Sequence, residues 1–424
     1  MSMVFYAYGE PLFVGIMILE IVIGWLLGKK IELMQQQKKK KRWLYVGVFF
    51  FVAMLFVFKY LTFFNTQFSV FFSVSTPDID IALPIGISFF TFQLLSYIFD
   101  VYYGKAKAQS NILNVGLYIT LFPQLIAGPI VRYDVIEKQI LQRQENLQNF
   151  ADGMFRFIYG LGKKVLIANY MAMVADNIFS AGAPEAIATA WLGAIAYTLQ
   201  IYFDFSGYSD MAIGLSKMFG FSIPENFKYP YIANSVTDFW RRWHISLSSF
   251  LKDYIYIPLG GSRCSNSRYI FNLFVVWFLT GFWHGADYNF ILWGLYFGLV
   301  LIIEKFVFKG FFDRHRVIGF VYTALIVNIS FVIFNHSNLL DIKNFIVGLF
   351  NFKYLVDKET LFYLKNYVVF FAVCIVGITP LCKNIYSRLK NKDLLNIVLV
   401  VLLLIVSTAY IIDATFMPFL YFRF

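Results

Sequence analysis

Long apolar runs separated by short basic loops dominate the chain. Runs approaching the roughly 20 residues that a bilayer-crossing helix needs fall near 12–27, 43–63, 84–103, 114–131, 155–175, 187–205, 270–285, 290–303, 317–334, 361–381 and 394–412. Several are short or carry Gly and Pro, which suits re-entrant segments. The pattern predicts an all-α polytopic membrane helix bundle, with about ten or eleven transmembrane helices plus re-entrant or interfacial ones. No repeat of roughly 20–50 residues and no low-complexity linker interrupts it, so one domain over residues 1–424 is expected.

The basic residues orient the runs. Lys29, Lys30 and the stretch Lys38 to Arg42 lie between the first two runs, which puts that loop in the cytoplasm and the N-terminus outside. Residues 64–80 hold no Lys or Arg and carry Asp78 and Asp80, as expected outside. Lys383, Arg388, Lys390 and Lys392 mark a further cytoplasmic loop, which leaves the C-terminal FMPFLYFRF outside.

The segment 270–303 has basic flanks on both sides, Arg263 and Arg268 before it and Lys305, Lys309, Arg314 and Arg316 after it, next to Glu304. Both flanks read as cytoplasmic, so the segment can cross and return only as a tight hairpin. Its tip belongs at Gly281–Asn289, the polar, glycine-bearing part. At about 1.5 Å per residue, His284 then stands roughly 20 Å above the cytoplasmic edge, within a hydrocarbon core about 30 Å thick. An ionisable group at that depth is a functional candidate by default. The plainer reading is a packed structural histidine.

A second polar stretch lies upstream. Asp204, Ser206, Tyr208, Ser209 and Asp210 interrupt an apolar region, as proton carriers, cavity linings or helix caps. Ser235 and Asp238 are spaced as a capping box, and a helix from there runs toward Pro258, Gly260 and Gly261. It would show Trp240, Trp243, Leu247, Phe250 and Tyr254 on one face, and Thr237, Arg241, His244 and Ser248 on another. Such a helix lies at an interface or lines a cavity, where His244 either faces water or serves the site.

Composition fits this picture. The chain is 59% hydrophobic, 21% aromatic and only 14% charged, against about 25% charged in soluble domains. A net charge of +11 raises nucleic acid as a partner, but the cations sit in short loops between apolar runs, which is the positive-inside pattern. No nucleic-acid partner is therefore expected. Cys264, Cys374 and Cys382 have no metal or redox spacing. The first run lacks the features of a cleaved signal peptide and is expected to remain.

No GxSxG elbow, HExxH motif or P-loop occurs. A histidine in a membrane cavity suits general-base activation of a hydroxyl, because its ordinary pKa of about 6.5 is close to working pH. That favours transfer from an activated acyl donor over phosphoryl transfer or metal hydrolysis, and no metal is expected.

The longer motifs carry a resemblance. They are LPIGISFFTFQLLSYIFDVYYG at 83–104, LFPQLIAGPIVRY at 121–133 and YFDFSGYSDMAIGLSKMFGF at 202–221, followed by PENFKYPY at 224–231. DFWRRWHISLSSFLKDYIYIPLGGSR at 238–263, LTGFWHGADYNFILWGLYFG at 279–298 and the terminal PFLYFRF complete the set. The chain resembles the membrane-bound O-acyltransferase (MBOAT) family in its alginate O-acetyltransferase (AlgI-type) membrane-subunit branch, with the core motifs over about 83–304. The resemblance implies a multi-helix bundle with a funnel on each face meeting at the site. It implies that His284 is the catalytic histidine and that His244 is a second site position, for donor positioning or electrostatic help. Asp204, Ser206, Tyr208, Asp210, Trp240, Arg241, Ser248 and Trp283 are the accompanying substrate-binding candidates. It further implies acetyl-CoA as a cytoplasmic donor with no bound cofactor. The acceptor would be a hydroxyl on an extracytoplasmic polysaccharide, with an esterase-like extracytoplasmic partner protein, in a bacterial cytoplasmic membrane.

Two departures are visible. Such chains usually carry more hydrophobic sequence ahead of FYAYGEPLF, and often an Arg near the position of Asn335 and His336, where this chain reads IFNHSNLL. The outer face is therefore expected to differ, with His336 part of that difference or an exposed loop residue. Two other readings stay open. One is D-alanyl transfer to teichoic acid from a carrier-protein thioester, against which IPLGGSR after the His244 helix counts. The other is a proton-coupled transporter or flippase using Asp204, Asp210 and His284, which would want inverted repeats that are not seen.

Overall fold

The computed structural model describes residues 2–413 apart from 78, 80, 127 and 389–391. Asp78, Asp80, Lys390 and the C-terminal segment 416–424, which bear on the expected orientation, lie outside the described residues. The described chain is helical, and its one β feature is an isolated bridge between Ala186 and Tyr354. Among the described residues five helices are long and apolar enough to cross a membrane: Gln37–Phe72, Tyr288–Phe308, Arg316–Asn335, Lys358–Gly377 and Asp393–Asp413. The protein is a multi-pass membrane helix bundle.

Most other apolar runs also became helices, though shorter or more polar ones, such as Val14–Leu33, Ile87–Tyr103 and the long Ile187–Met218. The run at 114–131 did not. It splits into Ile112–Thr120 and Phe122–Leu125, with Pro123 opening the second piece, and is extended by Arg132. Proline has no N–H to give to a preceding turn, so it starts helices and does not continue them.

The chain divides into two compact units. The first comprises Met1–Met154, Ala212–Pro224 and Ser249–Pro258. In it the helix Ile87–Tyr103 is almost wholly buried, and its polar residues are matched locally. Thr91 donates to Glu20 Oε2 at 3.1 Å, and Tyr254 donates to Asp100 Oδ1 at 2.6 Å. Arg132 pairs with Asp253.

The second unit comprises Phe155–Met211, Glu225–Ser248 and Leu259–Phe424, and holds both candidate histidines. Its centre is the hairpin expected from the basic flanks. Helix Asn266–His284 turns at Gly285 into helix Tyr288–Ile303, whose first N–H is capped by the Asp287 carboxylate at 2.7 Å. The two arms touch backbone to backbone. A Cβ on Gly281 would stand 2.2 Å from the Phe290 carbonyl oxygen, and one on Gly294 would stand 2.3 Å from that of Trp277. Small residues allow such an approach where lipid gives helices no hydrophobic reason to associate. A second contact of this kind joins Gly160 and Gly207, each of whose Cβ atoms would meet the other's carbonyl oxygen, at 2.5 and 2.8 Å. It sets Arg156, Lys163 and Lys164 beside the carboxylates of the 187–218 helix.

Gly281→Ala and Gly294→Ala are expected to lower the thermal midpoint of the detergent-solubilised protein, at a cost of about 1–3 kcal/mol each from overpacking. Gly116→Ala, whose Cβ meets nothing within 4 Å, is expected to leave it unchanged or raise it. Equal midpoints for all three would refute the close helix contact.

Candidate functional site

The site begins with a broken helix. The sequence favours one continuous helix from Ser235 through Tyr254. The structure instead has Val236–Arg242 and Ile245–Leu251, with Trp243 extended and His244 at φ +42° between them. The expected polar face of Arg241, His244 and Ser248 therefore does not exist. His244 is 1% exposed, so neither the water-facing position nor a place beside Arg241 holds. A left-handed non-glycine residue costs about 1–3 kcal/mol and persists only where its surroundings enforce it.

Those surroundings come from Glu225–Lys228. The Ile245 N–H donates to the Asn226 carbonyl at 3.0 Å, and the Lys228 N–H donates to the Arg242 carbonyl at 2.9 Å. The Asn226 side chain, fully buried, meets the backbone N–H of Ser246 at 3.2 Å, Ser246 Oγ at 2.9 Å and His244 Nδ1 at 3.1 Å. The groups freed by the break are thus taken up. Ser248 takes part through its backbone, donating to the His244 carbonyl at 3.0 Å in the first turn of the new helix.

The first short helix is fixed at its start. Ser235 Oγ accepts from the Asp238 N–H at 3.0 Å, as the capping spacing predicts. The Asp238 carboxylate does not return to the cap; it pairs with Arg242 at 2.9 Å. Glu304, from the end of the hairpin, completes the cap. Its oxygens accept from Val236 N at 2.6 Å, Thr237 N at 2.9 Å and Thr237 Oγ1 at 2.6 Å. A carboxylate there satisfies orphan N–H groups and complements the helix dipole.

The histidines converge on one indole. The His244 ring lies 6.1 Å from the Trp283 ring and 4.7 Å, edge on, from Phe205. The His284 ring lies 4.8 Å from Trp283, 5.0 Å from Trp293 and 5.2 Å from Phe334. Since 6.1 Å and 4.8 Å meet at the same ring, the imidazoles are at most about 11 Å apart. His284 is half-buried at the hairpin tip, the last residue of its helix. His244 lies outside the five spanning helices, and burial pushes its pKa down to about 3, so the ring is neutral. Its Nε2 is buried and meets no hydrogen-bond partner among the described residues.

The other candidates divide. Trp283 joins the histidines, and Trp240 packs behind them on Trp277 at 4.6 Å and Phe297 at 4.9 Å. Asp204 pairs with Lys164. Asp210 accepts from Arg156 at 2.8 Å and Lys163 at 2.6 Å, and Arg156 also reaches Glu225 at 2.6 Å. Both carboxylates are thus locked in ion pairs. Ser206 is buried on the same helix, with its Oγ meeting no hydrogen-bond partner among the described residues, and Tyr208 is half-buried there. Arg241 lies elsewhere, in an open groove of about 550 Å³ with Ser235, Asp238, Arg242, Asp313 and Arg316. His336 is not an exposed loop residue: it is half-buried, its ring 4.9 Å from Phe179.

Asn226, Ser246, Glu304 and the Lys163–Lys164 pair carry the site without having been singled out. The signals were present: PENF holds Asn226, and two adjacent lysines inside the apolar run 155–175 require anionic partners.

The sequence model of the membrane-bound O-acyltransferase family matches residues 105–339, which include both histidines. Over 349 residues the chain is 43% identical to the Pseudomonas aeruginosa protein named "Probable alginate O-acetylase AlgI", covering 80% of this chain and 66% of that one. It is 36% identical over 369 residues to the peptidoglycan O-acetyltransferase of Helicobacter pylori, covering 80% and 70%. The teichoic acid D-alanyltransferase of Bacillus subtilis is 29% identical over 236 residues, covering 53% and 60%. The chain spans about two thirds of the length of the first of these relatives.

Removing the Glu304 cap strands the buried Val236 N–H, worth about 1–3 kcal/mol, and the part-buried Thr237 N–H, worth less. Glu304→Ala is therefore expected to lower the thermal midpoint clearly, and Glu304→Gln, which keeps one acceptor, by less. An unchanged midpoint in Glu304→Ala would show that the helix start needs no cap.

Proposed function

The chain belongs to the membrane-bound O-acyltransferase family, and from that premise we propose that it moves an acetyl group from cytoplasmic acetyl-CoA to hydroxyls of a cell-surface polysaccharide. The observation that carries this reading is the pair of histidines whose rings both contact Trp283, one at the tip of a hairpin and the other at an enforced helix break. The relatives named as alginate O-acetylase and peptidoglycan O-acetyltransferase, which match over 80% of the chain, support the acetyl group and the polysaccharide.

In this reading His284 is the general base. It takes the proton of an acceptor hydroxyl as the oxygen attacks the thioester carbonyl carbon. A C–O bond forms, the C–S bond breaks, and the proton passes from the imidazolium to the departing thiolate, leaving the free thiol of CoA. The C-terminal end of helix 266–284 favours the positive charge that His284 carries in between. Trp283, Trp293 and Phe334 hold the ring's orientation and exclude water. His244 supports the site as a neutral group.

The donor would enter by the groove lined by Arg241, Arg242 and Arg316. Neither Arg241 nor Arg316 is held in an ion pair among the described residues, and guanidinium groups suit the phosphates of CoA. The acceptor would come from the opposite side, with an extracytoplasmic esterase-like protein to receive the acetyl group, and the membrane would be the bacterial cytoplasmic one. D-alanyl transfer is less supported, since that relative matches about half of the chain. The transporter reading loses its proton carriers, because Asp204 and Asp210 are ion-paired.

Two outcomes are expected with the purified protein in lipid. First, His284→Ala lowers acetyl transfer or hydrolysis from acetyl-CoA by about 10²-fold or more while the protein keeps its thermal midpoint; full activity in that variant would sink the catalytic assignment. Second, the double variant Arg241→Ala, Arg316→Ala raises KM for acetyl-CoA by about tenfold, the loss of one good charge-assisted contact. It leaves KM for acetyl-pantetheine, which lacks the nucleotide phosphates, unchanged. Equal KM changes for both donors would remove the groove from the donor path.

A further inference from the structure

One helix of the first unit presents an exposed stripe that changes character along its length. Helix Gln37–Leu55, which opens the candidate span Gln37–Phe72, buries Leu44, Gly47, Phe51 and Leu55. A Cβ on Gly47 would stand 2.8 Å from Ile98 Cδ1 and 3.0 Å from Leu27 Cδ1, so that face is closed against the helices Ile87–Tyr103 and Val14–Leu33. On the other side Lys38, Lys41, Arg42, Tyr45, Val46 and Phe49 follow one another at helical spacing and are all exposed. A groove of about 580 Å³ runs along them.

The stripe is cationic in its first turns and apolar in the next. The helix holds no acidic residue. Among the described residues Lys38, Lys41 and Arg42 are in no ion pair. Glu32, the nearest acid along the chain, accepts from the Ala108 N–H at 3.1 Å instead. Lys41 Nζ lies 5.5 Å from the Tyr45 ring centre, so the two halves of the stripe meet there. At about 1.5 Å per residue, Lys38 to Arg42 covers about 6 Å. That is the depth of one headgroup layer, since a bilayer of about 40–45 Å has a hydrocarbon core of about 30 Å. Phe49 lies about 10 Å farther along the helix, at the level of acyl chains.

We propose that this groove holds one anionic phospholipid, its phosphodiester against Lys38, Lys41 and Arg42 and an acyl chain along Tyr45, Val46 and Phe49. Cations at headgroup depth with no carboxylate to neutralise them attract anionic lipid, and a guanidinium meets two phosphate oxygens at once. A zwitterionic lipid brings its own ammonium into the cluster and loses that gain. A soluble phosphate meets the cations and leaves the apolar half of the groove uncovered. The leaflet is the cytoplasmic one, on the positive-inside orientation of this loop. The lipid concerns the first unit alone and is independent of acyl transfer. It braces Gln37–Leu55 against the helices behind it, so its binding stabilises the fold.

The test uses the full chain in detergent, titrated with phosphatidylglycerol or phosphatidylcholine, with bound lipid counted by native mass spectrometry and the thermal midpoint followed in parallel. The unaltered protein is expected to retain one phosphatidylglycerol in preference to phosphatidylcholine, and its midpoint to rise as phosphatidylglycerol is added. The triple variant Lys38→Gln, Lys41→Gln, Arg42→Gln is expected to bind phosphatidylglycerol about 10²-fold more weakly, at about fivefold per cation, and to lose the rise. The double variant Lys39→Gln, Lys40→Gln removes cations of the same run that lie off the stripe, and is expected to keep both. Equal losses in the two variants would show a diffuse basic field and overturn the proposal. So would undiminished binding in the triple variant, or equal retention of phosphatidylcholine by the unaltered protein. Glycerol phosphate that displaces the lipid at equal concentration would show a site for soluble phosphate and overturn it too. If the triple variant does not fold, Arg42→Gln alone decides: a loss of about fivefold is expected, and no loss overturns the site.

Discussion

Backbone groups released where a helix breaks in buried surroundings must find partners within the protein. This requirement organises the second unit. The break at Trp243–His244 exists because Asn226 and Lys228 take up the groups it frees, through backbone bonds of 3.0 and 2.9 Å and the Asn226 side chain. The helix before it starts where it does because Glu304 accepts its first N–H groups. The helix 187–218 begins by donating from Ile187 and Ala188 to the carbonyls of Tyr354 and Leu355, at 3.0 and 3.1 Å. Each irregular point is answered by a residue far along the chain, so the polar constellation is held by long-range bonds.

Charge follows the same rule. Asp204 and Asp210 stand on a helix rich in aromatic and small residues, and the Gly160–Gly207 contact brings three cations within reach of them. Without side chains at that contact the helices approach closely enough for ion pairs to form. Burying unpaired carboxylates would cost several kcal/mol each. Aromatic residues then pack beside His284, with Trp293 against its ring and Trp240 edge-on to Trp277, Trp293 and Phe297.

What the sequence made legible was mainly what rests on local pattern. The basic flanks of 270–303 forced a hairpin, and its tip lies where glycine and polar residues cluster. Ser235 capped a helix as its spacing required. The break at His244 was hidden because Trp, His and Ile are ordinary helix residues, and neither Gly nor Pro marks the spot. Its cause lies in Asn226, eighteen positions earlier. Glu304 read as one more charge in a loop flank, because burial is not written in a charge. The carboxylates read as lone because their partners sit 40 to 54 positions upstream, in another apolar run. The motifs that carried the family resemblance contained Asn226 and both histidines, but position in a motif does not state which atoms meet.

The backbone contact between Gly281 and Gly294 has a mechanical meaning. Two helices that interlock carbonyl against α-carbon, as at Phe290 and Trp277, cannot slide past one another without one climbing over the other. The hairpin is therefore a rigid post, and the histidine at its top stands at one height. A general base fixed in that way, the role proposed for His284, would have no stroke of its own. All the travel in the proposed reaction would then fall to the molecules that arrive, which would have to be long and supple enough to reach it.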